Sequence, residues 1–377
     1  MSYSDRFRNC NGNGKHRAHG GPMADKPVLI TGGAGFIGTN LAHRYLAQGH
    51  AVILFDNLSR EGVDQNVQWL RKTHGSLMQF VAGDVRDRSA MKAVVERAGQ
   101  VFHFAAQVAV TTSLADARTD FDINVGGTFN LLEALRGLDD APPLMFTSTN
   151  KVYGGLQDVE LRKTRSRYEP ENHDVRERGI CEVRPLDFHT PYGCSKGAAE
   201  QYVLDYARSF GKPAAVFRMS CIYGPHQFGT EDQGWVAHFV IQALEDRPIT
   251  IYGDGLQVRD ILYVEDLVDA FLLAQKNMAT ISGQAFNIGG GPERTVSLVE
   301  LLATMQRVGG VKPRVTHEDP RIGDQRYYVS DTGKFQRATG WSPKVSAVDG
   351  VRLLHEWLAE ASRLAKTRRP ALEPATV

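Results

Sequence analysis

Short apolar runs alternate with longer amphipathic stretches between residues 26 and about 219. The apolar runs predict β-strands at 28–31, 51–55, 77–82, 101–104, 144–148 and 214–219. Helical periodicity lies between them, at about 36–48, 89–98, 118–136 and 192–210. Because strands and helices alternate, the pattern predicts an α/β fold with a doubly wound parallel sheet, right-handed crossovers and helices on both faces.

Shifts in composition divide the rest of the chain. The first 25 residues are rich in Gly, Asn, Arg and His and have almost no apolar periodicity, which predicts a disordered tail. The other end is basic and then Pro-rich, and we expect it to be flexible from about residue 365. Between these tails we expect a large domain, formed by 26–219 and about 257–290, and a smaller C-terminal α/β substrate domain, formed by 220–256 and 291–360.

Bulk composition narrows the class of protein. The formal net charge of the 377-residue chain is +1, so nothing predicts a nucleic-acid partner or an anionic membrane. No apolar run reaches the roughly 20 residues needed to cross a bilayer, and the N-terminus lacks a signal-peptide core. The four cysteines show no Cys-x-x-Cys spacing and the twelve histidines no metal-ligand spacing. We therefore expect a reduced, cytoplasmic protein without a metal site.

A glycine-rich turn follows the first predicted strand and leads into a helix. Its sequence is TGGAGFIG at 31–38, in which Gly32, Gly35 and Gly38 permit a tight turn and a close approach to a pyrophosphate. The second strand ends in Asp56, which is placed to accept a hydrogen bond from an adenosine ribose. This combination predicts a Rossmann-like site for NAD. A carboxylate repels the 2′-phosphate of NADP, although the nearby Arg60 weakens that preference.

The ends of later strands carry further candidates for cofactor contacts. The sequence GDV at 83–85 could contact an adenine edge, and Ala105 and Ala106 are small enough for a cofactor to approach the backbone. Gln107 follows them directly. Asn124 lies within a predicted helix and is either a structural hydrogen-bonding residue or a cofactor contact.

Tyr192 and Lys196 are the candidate catalytic pair. They stand at i and i+4, and Pro191 suits the first turn of a helix, so both side chains would share one helical face. A free phenol has a pKa of about 10, and a lysine ammonium and an oxidised nicotinamide nearby would favour the phenolate and lower that value toward the range of a useful base. The strand at 144–148 leads to Thr149, a hydroxyl that could share the hydrogen bond to the substrate; Ser148 is the alternative.

These motifs together resemble the extended short-chain dehydrogenase/reductases, the group of nucleotide-sugar epimerases and dehydratases. The resemblance covers about 26–358 and rests on TGGAGFIG, DN at 56–57, GDV at 83–85, HFAA at 103–106, NVGGT at 124–128, YGCSK at 192–196, and GDG and VRD at 253–255 and 258–260. It implies that Thr149, Tyr192 and Lys196 are the catalytic hydroxyl, base and lysine, with NAD kept bound and regenerated in each cycle. It also implies a homo-oligomer, either a dimer or a tetramer.

The predicted site residues form two sets. The NAD site comprises Gly32, Gly35, Phe36, Ile37, Asp56, Asn57, Ser59, Arg60, Asp84, Val85, Ala105, Ala106, Gln107, Asn124, Tyr192 and Lys196. The nucleotide-sugar site comprises Thr149, Asn150, Gln233, Tyr252, Gln257, Arg259 and Arg321. The two arginines are the predicted diphosphate ligands, since a guanidinium forks onto phosphate oxygens, and RIGD at 321–324 resembles the family's phosphate-binding loop.

The residues after Thr149 distinguish the reactions of the family. Its 4,6-dehydratases have an Asp-Glu pair there as acid and base, whereas this chain has Asn150 and Lys151. Of the family's reactions, this leaves epimerisation, in which one carbon is oxidised to a transient ketone and then reduced again. The stretches STNKVYG at 148–154 and FRMSCIYGPHQFGTEDQGWV at 217–236 resemble the members that act at carbon 2 of a CDP-linked dideoxyhexose.

Several alternatives stay open. The chain could epimerise another nucleotide sugar, UDP- or GDP-linked, at carbon 4 or carbon 2. It could instead be a net dehydrogenase or reductase of the same fold, or a non-catalytic NAD-binding regulator. The long charged segment between Gly154 and Tyr192 suits an insertion that covers the substrate, or a plain surface loop.

Overall fold

The computed structural model describes residues 26–310, 312–321 and 323–368, so the tail predicted at 1–25 lies outside the described residues. The strands are β1 Val28–Thr31, β2 Val52–Asp56, β3 Met78–Ala82, β4 Gln100–His103, β5 Leu144–Thr149, β6 Leu161–Lys163, β7 Tyr168–Pro170, β8 Ala214–Met219, β9 Cys221–Tyr223, β10 Ile249–Tyr252, β11 Val258–Tyr263, β12 Gln284–Ile288, β13 Thr295–Ser297, β14 Val315–Glu318 and β15 Tyr327–Tyr328. The helices are α1 Phe36–Ala47, α2 Val63–His74, α3 Arg88–Val95, α4 Val110–Ala115, α5 Ala117–Phe121, α6 Thr128–Arg136, α7 His173–Arg178, α8 Thr190–Phe210, α9 Trp235–Leu244, α10 Val264–Lys276, α11 Met278–Ile281, α12 Leu298–Gly309, α13 Gly333–Thr339 and α14 Ala347–Arg368.

Seven parallel strands form the central sheet, in the order β12-β8-β5-β4-β1-β2-β3. All six strands predicted from the apolar runs lie in it, and β12 is the seventh. The predicted doubly wound α/β fold is therefore confirmed. Since the strands are parallel, their carboxyl ends share one edge, and residues that follow different strands meet there.

Side chains alternate between two apolar layers on either side of this sheet. On β1, Ile30 faces a cluster that includes Leu41 of α1 and Phe271 of α10. Its neighbour Leu29 faces the other cluster, which includes Leu131 of α6 and Val203 of α8. All six side chains are buried, and burial on both faces of the sheet explains why such strands are continuous apolar runs in the sequence.

Helix α2 was not predicted, although it supports the glycine-rich turn. Its apolar positions Val63, Val67 and Leu70 are buried on one face. On the same helix Asn66 donates from Nδ2 to the carbonyl oxygen of Ala34 at 2.9 Å. At the other end of the chain, α14 extends to residue 368, into the segment predicted as a flexible tail, and 369–377 lie outside the described residues.

A second group of smaller sheets lies beyond the end of β8. Strand β10 pairs with β14, and β11 pairs with β9, β13 and β15. Their side chains pack with α9, α12 and α14 in a separate apolar cluster that includes Val240, Leu301 and Leu354. Strand β11 thus belongs with the small sheets, whereas α10 and β12, which follow it, return to the large sheet. Among the described helices, none is at once long and apolar enough to cross a membrane.

The segment between Gly154 and Tyr192 forms a strap that ties the hairpin β6–β7 to the smaller sheets. Arg167 donates from Nε to Glu300 of α12 at 2.8 Å, and Lys163 pairs with Asp254 at 3.0 Å. Glu300 also completes the capping box at the start of α12. No described residue between 155 and 189 lines the cavity at the sheet edge, and the contacts of the strap instead brace the two parts of the chain.

Gly38 allows α1 to pack directly on the glycine-rich turn. A Cβ at this position would lie 2.5 Å from the carbonyl oxygen of Gly32 and 2.7 Å from Cα of Gly33. We predict that Gly38→Ala lowers the free energy of unfolding by about 1–3 kcal/mol and weakens NAD binding, because the helix must move away from the strand. Chemical denaturation and NAD titration measure the two effects.

Gly137 provides a matched control for this prediction. It ends α6 at φ −70°, and a Cβ there would meet no atom closer than 3.6 Å. Gly137→Ala should therefore leave NAD affinity unchanged. If the two variants showed the same stability and the same NAD affinity, the close contact at Gly38 would not be needed for either property.

Candidate active site

A cavity of about 520 Å³ opens along the carboxyl edge of the central sheet. One end is formed by the glycine-rich turn and the ends of β2 and β3. The other end is formed by residues of α9, β10, β11 and the segment 321–324. Thr149, Tyr192 and Lys196 line it between these two ends. The cavity therefore has a first half at the glycine-rich turn and a second half built largely from the smaller sheets.

The glycine-rich turn forms the floor of the first half. Gly32 has φ +67°, and a Cβ there would lie 2.6 Å from the backbone nitrogen of Ala105. Gly35 precedes α1 without any side-chain cap, so the amide groups at the start of the helix remain available to an anion. Asp56 Oδ2 accepts from Ala34 N at 3.1 Å, and Oδ1 accepts from Leu58 N at 2.8 Å. This cradle fits the pyrophosphate and ribose of NAD.

The end of this half beside β2 and β3 carries both charge signs. Arg86 donates to Asp84 from Nε at 2.9 Å, and this hydrogen bond holds the pKa of Asp84 well below its usual range. Asn57 also donates to Asp84, at 2.8 Å. Burial raises the pKa of Asp56, and the nearby Arg60 opposes that effect. The other predicted NAD residues on the cavity wall are Phe36, Ile37, Ser59, Val85, Ala105 and Ala106.

Gln107 and Asn124 lie behind the cavity wall. The Asn124 side chain accepts from Gln107 N at 2.9 Å, and it donates to Gln107 O and to Ser195 Oγ, both at 3.0 Å. The Gln107 side chain donates to the carbonyl oxygen of Ala109 at 2.8 Å. Neither side chain lines the cavity. Of the two roles open for Asn124, the structure displays the structural one: it joins the loop after β4 to α8.

The candidate catalytic hydroxyls approach each other from different elements. Helix α8 begins at Thr190 with Pro191 in its first turn, so Tyr192 lies at the helix start. Thr149 ends β5 and caps the short 3-10 turn Asn150–Tyr153, which we call the catalytic turn. Thr149 and Tyr192 both line the cavity, and the Thr149 side chain acts to lower the pKa of the Tyr192 hydroxyl. The alternative hydroxyl, Ser148, also lines the cavity, and its buried Oγ has no hydrogen-bond partner in the described part of the chain.

Burial dominates the ionisation of both members of the Tyr-Lys pair. It raises the pKa of Tyr192 to about 12, while the Thr149 side chain acts in the other direction. It lowers the pKa of Lys196 to about 7, while the carboxylates of Glu200 and Asp120 act in the other direction. The ammonium group lies 4.4 Å from the ring centroid of Phe146. The predicted lowering of the Tyr192 pKa involves an oxidised nicotinamide as well as the lysine, so these directions describe the chain without its cofactor.

The substrate half of the cavity contains the two predicted phosphate ligands, each paired with carboxylates. Arg259 donates to Asp324 at 2.6 Å. Arg321 lies 3.2 Å from Asp232 and 3.8 Å above the ring of Tyr252. The cavity wall also includes Asn150, Gln233 and Gln257. All seven predicted substrate residues thus line the same cavity.

Several side chains that line the cavity were not predicted from the sequence. Lys151, Asp324, Glu231, Asp232 and Trp235 line the cavity without having been assigned a role. A signal existed only for Lys151 and Asp324, because they lie inside motifs that were recognised. The others were included in the long resembling stretch, but nothing in their spacing distinguishes a wall residue from a surface residue.

The fold and the cavity agree with a family of known enzymes. Residues 28–289 match the model of the NAD dependent epimerase/dehydratase family, and the chain belongs to this family. Within it, the chain is 45% identical over 341 residues to the CDP-paratose 2-epimerase of Salmonella typhi, covering 88% of this chain and 98% of that protein.

Solved structures support the same assignment. The UDP-glucose 4-epimerase of Thermotoga maritima, solved with UDP-glucose, has a TM-score of 0.76 at 30% identity, covering 89% of this chain and 99% of that one. The UDP-glucuronic acid 4-epimerase of Bacillus cereus, solved with UDP-glucuronic acid and NAD, has a TM-score of 0.76 at 26% identity, with the same coverage. The predicted family, enzyme class and NAD cofactor are confirmed.

The buried Lys196 makes the stability of the cofactor-free chain depend on pH. Its folded-state pKa of about 7 lies below the usual 10.5, so between these values the unfolded chain binds more protons and folded stability rises with pH. In the wild type we expect the free energy of unfolding to rise by up to about 1.4 kcal/mol per pH unit in this range. We predict that Lys196→Met removes this rise. Urea denaturation at pH 7 and pH 9 measures it; parallel pH dependences in both proteins would contradict the assigned shift.

Proposed function

We propose that this chain is a nucleotide-sugar 2-epimerase that interconverts CDP-paratose and CDP-tyvelose. The observation that carries this proposal is the 45% identity to a CDP-paratose 2-epimerase across 98% of that protein, combined with Thr149, Tyr192 and Lys196 on the wall of the cavity that the glycine-rich turn also lines. The large domain would bind NAD through the glycine-rich turn, and the smaller one would bind the nucleotide sugar.

Each catalytic residue has a distinct proposed role. Tyr192 accepts the proton of the substrate hydroxyl through Oη, and Thr149 shares the hydrogen bond to the same oxygen. Lys196, on the next helical turn, and the oxidised nicotinamide of bound NAD would together provide the positive charge that favours the phenolate form. Bound NAD would supply the chemistry of a hydride acceptor and donor. The ketone must present its other face before the hydride returns, and Tyr192 then gives the proton back.

The catalytic turn favours epimerisation over dehydration. Removal of water needs an acid and a base near the oxidised carbon, but the two residues after Thr149 are Asn150 and Lys151. The rival proposal is a 4-epimerase, since relatives with that activity share the fold at about 30% identity. The nucleobase and the carbon atom are the points on which the two proposals differ.

The proposed route is tested by incubating the purified enzyme with CDP-paratose in deuterated solvent and following the hexose by NMR. We expect conversion to CDP-tyvelose with no solvent deuterium at carbon 2, because the hydride is removed and returned inside the site. Deuterium at carbon 2 would indicate deprotonation instead. Absence of conversion would refute the substrate and favour another nucleotide sugar.

Tyr192→Phe is the matched variant for this experiment. It keeps the ring but lacks the oxygen that exchanges the proton, so turnover should fall by roughly a hundredfold or more. NAD affinity should stay near that of the wild type. Unchanged turnover would exclude Tyr192 as the base, whereas equal loss of turnover and NAD binding would indicate a structural role.

We further propose that two copies associate through an aromatic face on α6 and α8. Phe129, Tyr202 and Phe210 are 41%, 45% and 45% exposed, and the rings of Phe129 and Tyr202 lie 5.7 Å apart. Contiguous exposed aromatic side chains are typical of protein interfaces.

Phe129→Glu should therefore convert a dimer to monomers in light scattering coupled to gel filtration. Val183→Glu is the control, since Val183 is 89% exposed on the strap, away from this face. A monomeric wild type, or dissociation by both variants, would contradict the proposed interface.

A further inference from the structure

Lys151 reaches from the catalytic turn to the opposite wall of the cavity. Its backbone nitrogen donates to Thr149 Oγ1 at 3.2 Å, so it is attached directly to the proposed catalytic hydroxyl. Its ammonium group donates to the carbonyl oxygen of Gly323 at 2.9 Å. Gly323 belongs to the segment that carries Arg321 and Asp324. The lysine therefore connects the catalytic end of the cavity with the proposed phosphate-binding end.

The charge on Lys151 is less well compensated than that of its cationic neighbours. Arg259 is paired with Asp324, and Arg321 with Asp232. Lys151 donates to a neutral carbonyl group and forms no ion pair with a carboxylate of the described residues. An ammonium group has three donors and this contact uses one of them, so the remaining donors are available to a ligand.

The surroundings of Lys151 also make its positive charge less favourable than that of an ordinary lysine. Burial is the main cause that lowers its pKa to about 8, and the positive charge of Arg259 acts in the same direction. Asp324 and Cys221 face the ammonium group and oppose this effect. A phosphate beside the lysine would favour the ammonium form and offset part of the cost of burying it.

We propose, resting on the proposed function, that Lys151 binds the phosphate attached to the sugar and so brings carbon 2, rather than carbon 4, to Tyr192. Carbon 2 is bonded to the anomeric carbon that carries this phosphate, whereas carbon 4 lies across the ring. A cation on the same turn as Thr149 holds the phosphate close to the catalytic hydroxyls. Only the carbon next to the anomeric centre can then reach them.

A comparison of two nucleotides isolates this contact. CDP has the second phosphate, which corresponds to the one joined to the sugar, and CMP lacks it. We expect Lys151→Gln in the full-length, NAD-containing enzyme to weaken CDP binding roughly ten- to a hundredfold in calorimetry, as loss of a charge-assisted hydrogen bond does. CMP binding should change by less than about twofold, and Lys151→Arg should restore part of the CDP affinity.

The same comparison separates failure of this proposal from failure of the proposed function. Equal losses of affinity for CDP and CMP would show that Lys151 acts only as a structural link to Gly323. Unchanged affinity for both nucleotides would show that Lys151 does not bind the phosphate. If the wild type prefers UDP to CDP, the cytidine assignment is wrong, but UDP and UMP then test Lys151 in the same way. The contrast within each nucleotide pair decides the role of the lysine.

Discussion

The buried ion pair between Arg218 and Glu200 joins the segments on which the candidate catalytic groups depend. Arg218 lies on β8 and donates from Nε to Glu200 of α8 at 3.0 Å, with side chains 6% and 0% exposed. It also donates to Tyr153 Oη at 2.9 Å, and Tyr153 donates to Asn287 of β12 at 2.8 Å. Removing one member of a buried pair leaves an uncompensated charge and costs about 3–5 kcal/mol. The relative positions of α8, the catalytic turn and two strands are thus set together.

This arrangement brings Tyr192 and Thr149 to one cavity from distant parts of the chain. Tyr192 is on the same helix as Glu200, and Thr149 immediately precedes the turn that contains Tyr153. The Thr149 hydroxyl also caps that turn by accepting from Lys151 N at 3.2 Å. The ion pair and this cap together fix where both hydroxyl-bearing residues lie, which is the kind of supporting contact that a preorganised site requires.

The sequence predicted the secondary structure best where the same apolar pattern recurs from strand to strand. The six buried strands were predicted to within about two residues, since parallel strands covered on both faces are continuous apolar runs. Helix α2 had a detectable pattern at Val63, Val67 and Leu70 that was overlooked beside the glycine-rich turn. The short strands β9, β13 and β15 have two or three residues each, too few for any periodicity, and only their pairing with β11 defines them. The residues 257–263 were assigned to the large domain because they precede α10.

The sequence predicted those site residues that belong to local motifs, but not the contacts that form only through the tertiary fold. Motif residues lie at the cavity, because a motif describes a local turn whose place at the sheet edge follows from the fold. The carboxylate partners of Arg259 and Arg321 could not be predicted, since Asp324 and Asp232 are distant in sequence and approach only through the tertiary fold. The role of Asn124 was ambiguous for the same reason: its partners Gln107 and Ser195 lie on other elements.

The paired arginines have a consequence for how a diphosphate is recognised. A phosphate that binds Arg259 or Arg321 must compete with a carboxylate already in place, so the pairs cost affinity for any small anion. In return, the carboxylates and the ring of Tyr252 keep each guanidinium in a defined orientation, which reduces the side-chain entropy lost on binding. Only a ligand that contacts several parts of the cavity at once, such as a nucleotide joined to a sugar, gains enough to displace them. If Arg259 and Arg321 bind the diphosphate as proposed, the charge pairs themselves would favour a whole nucleotide sugar over free phosphate.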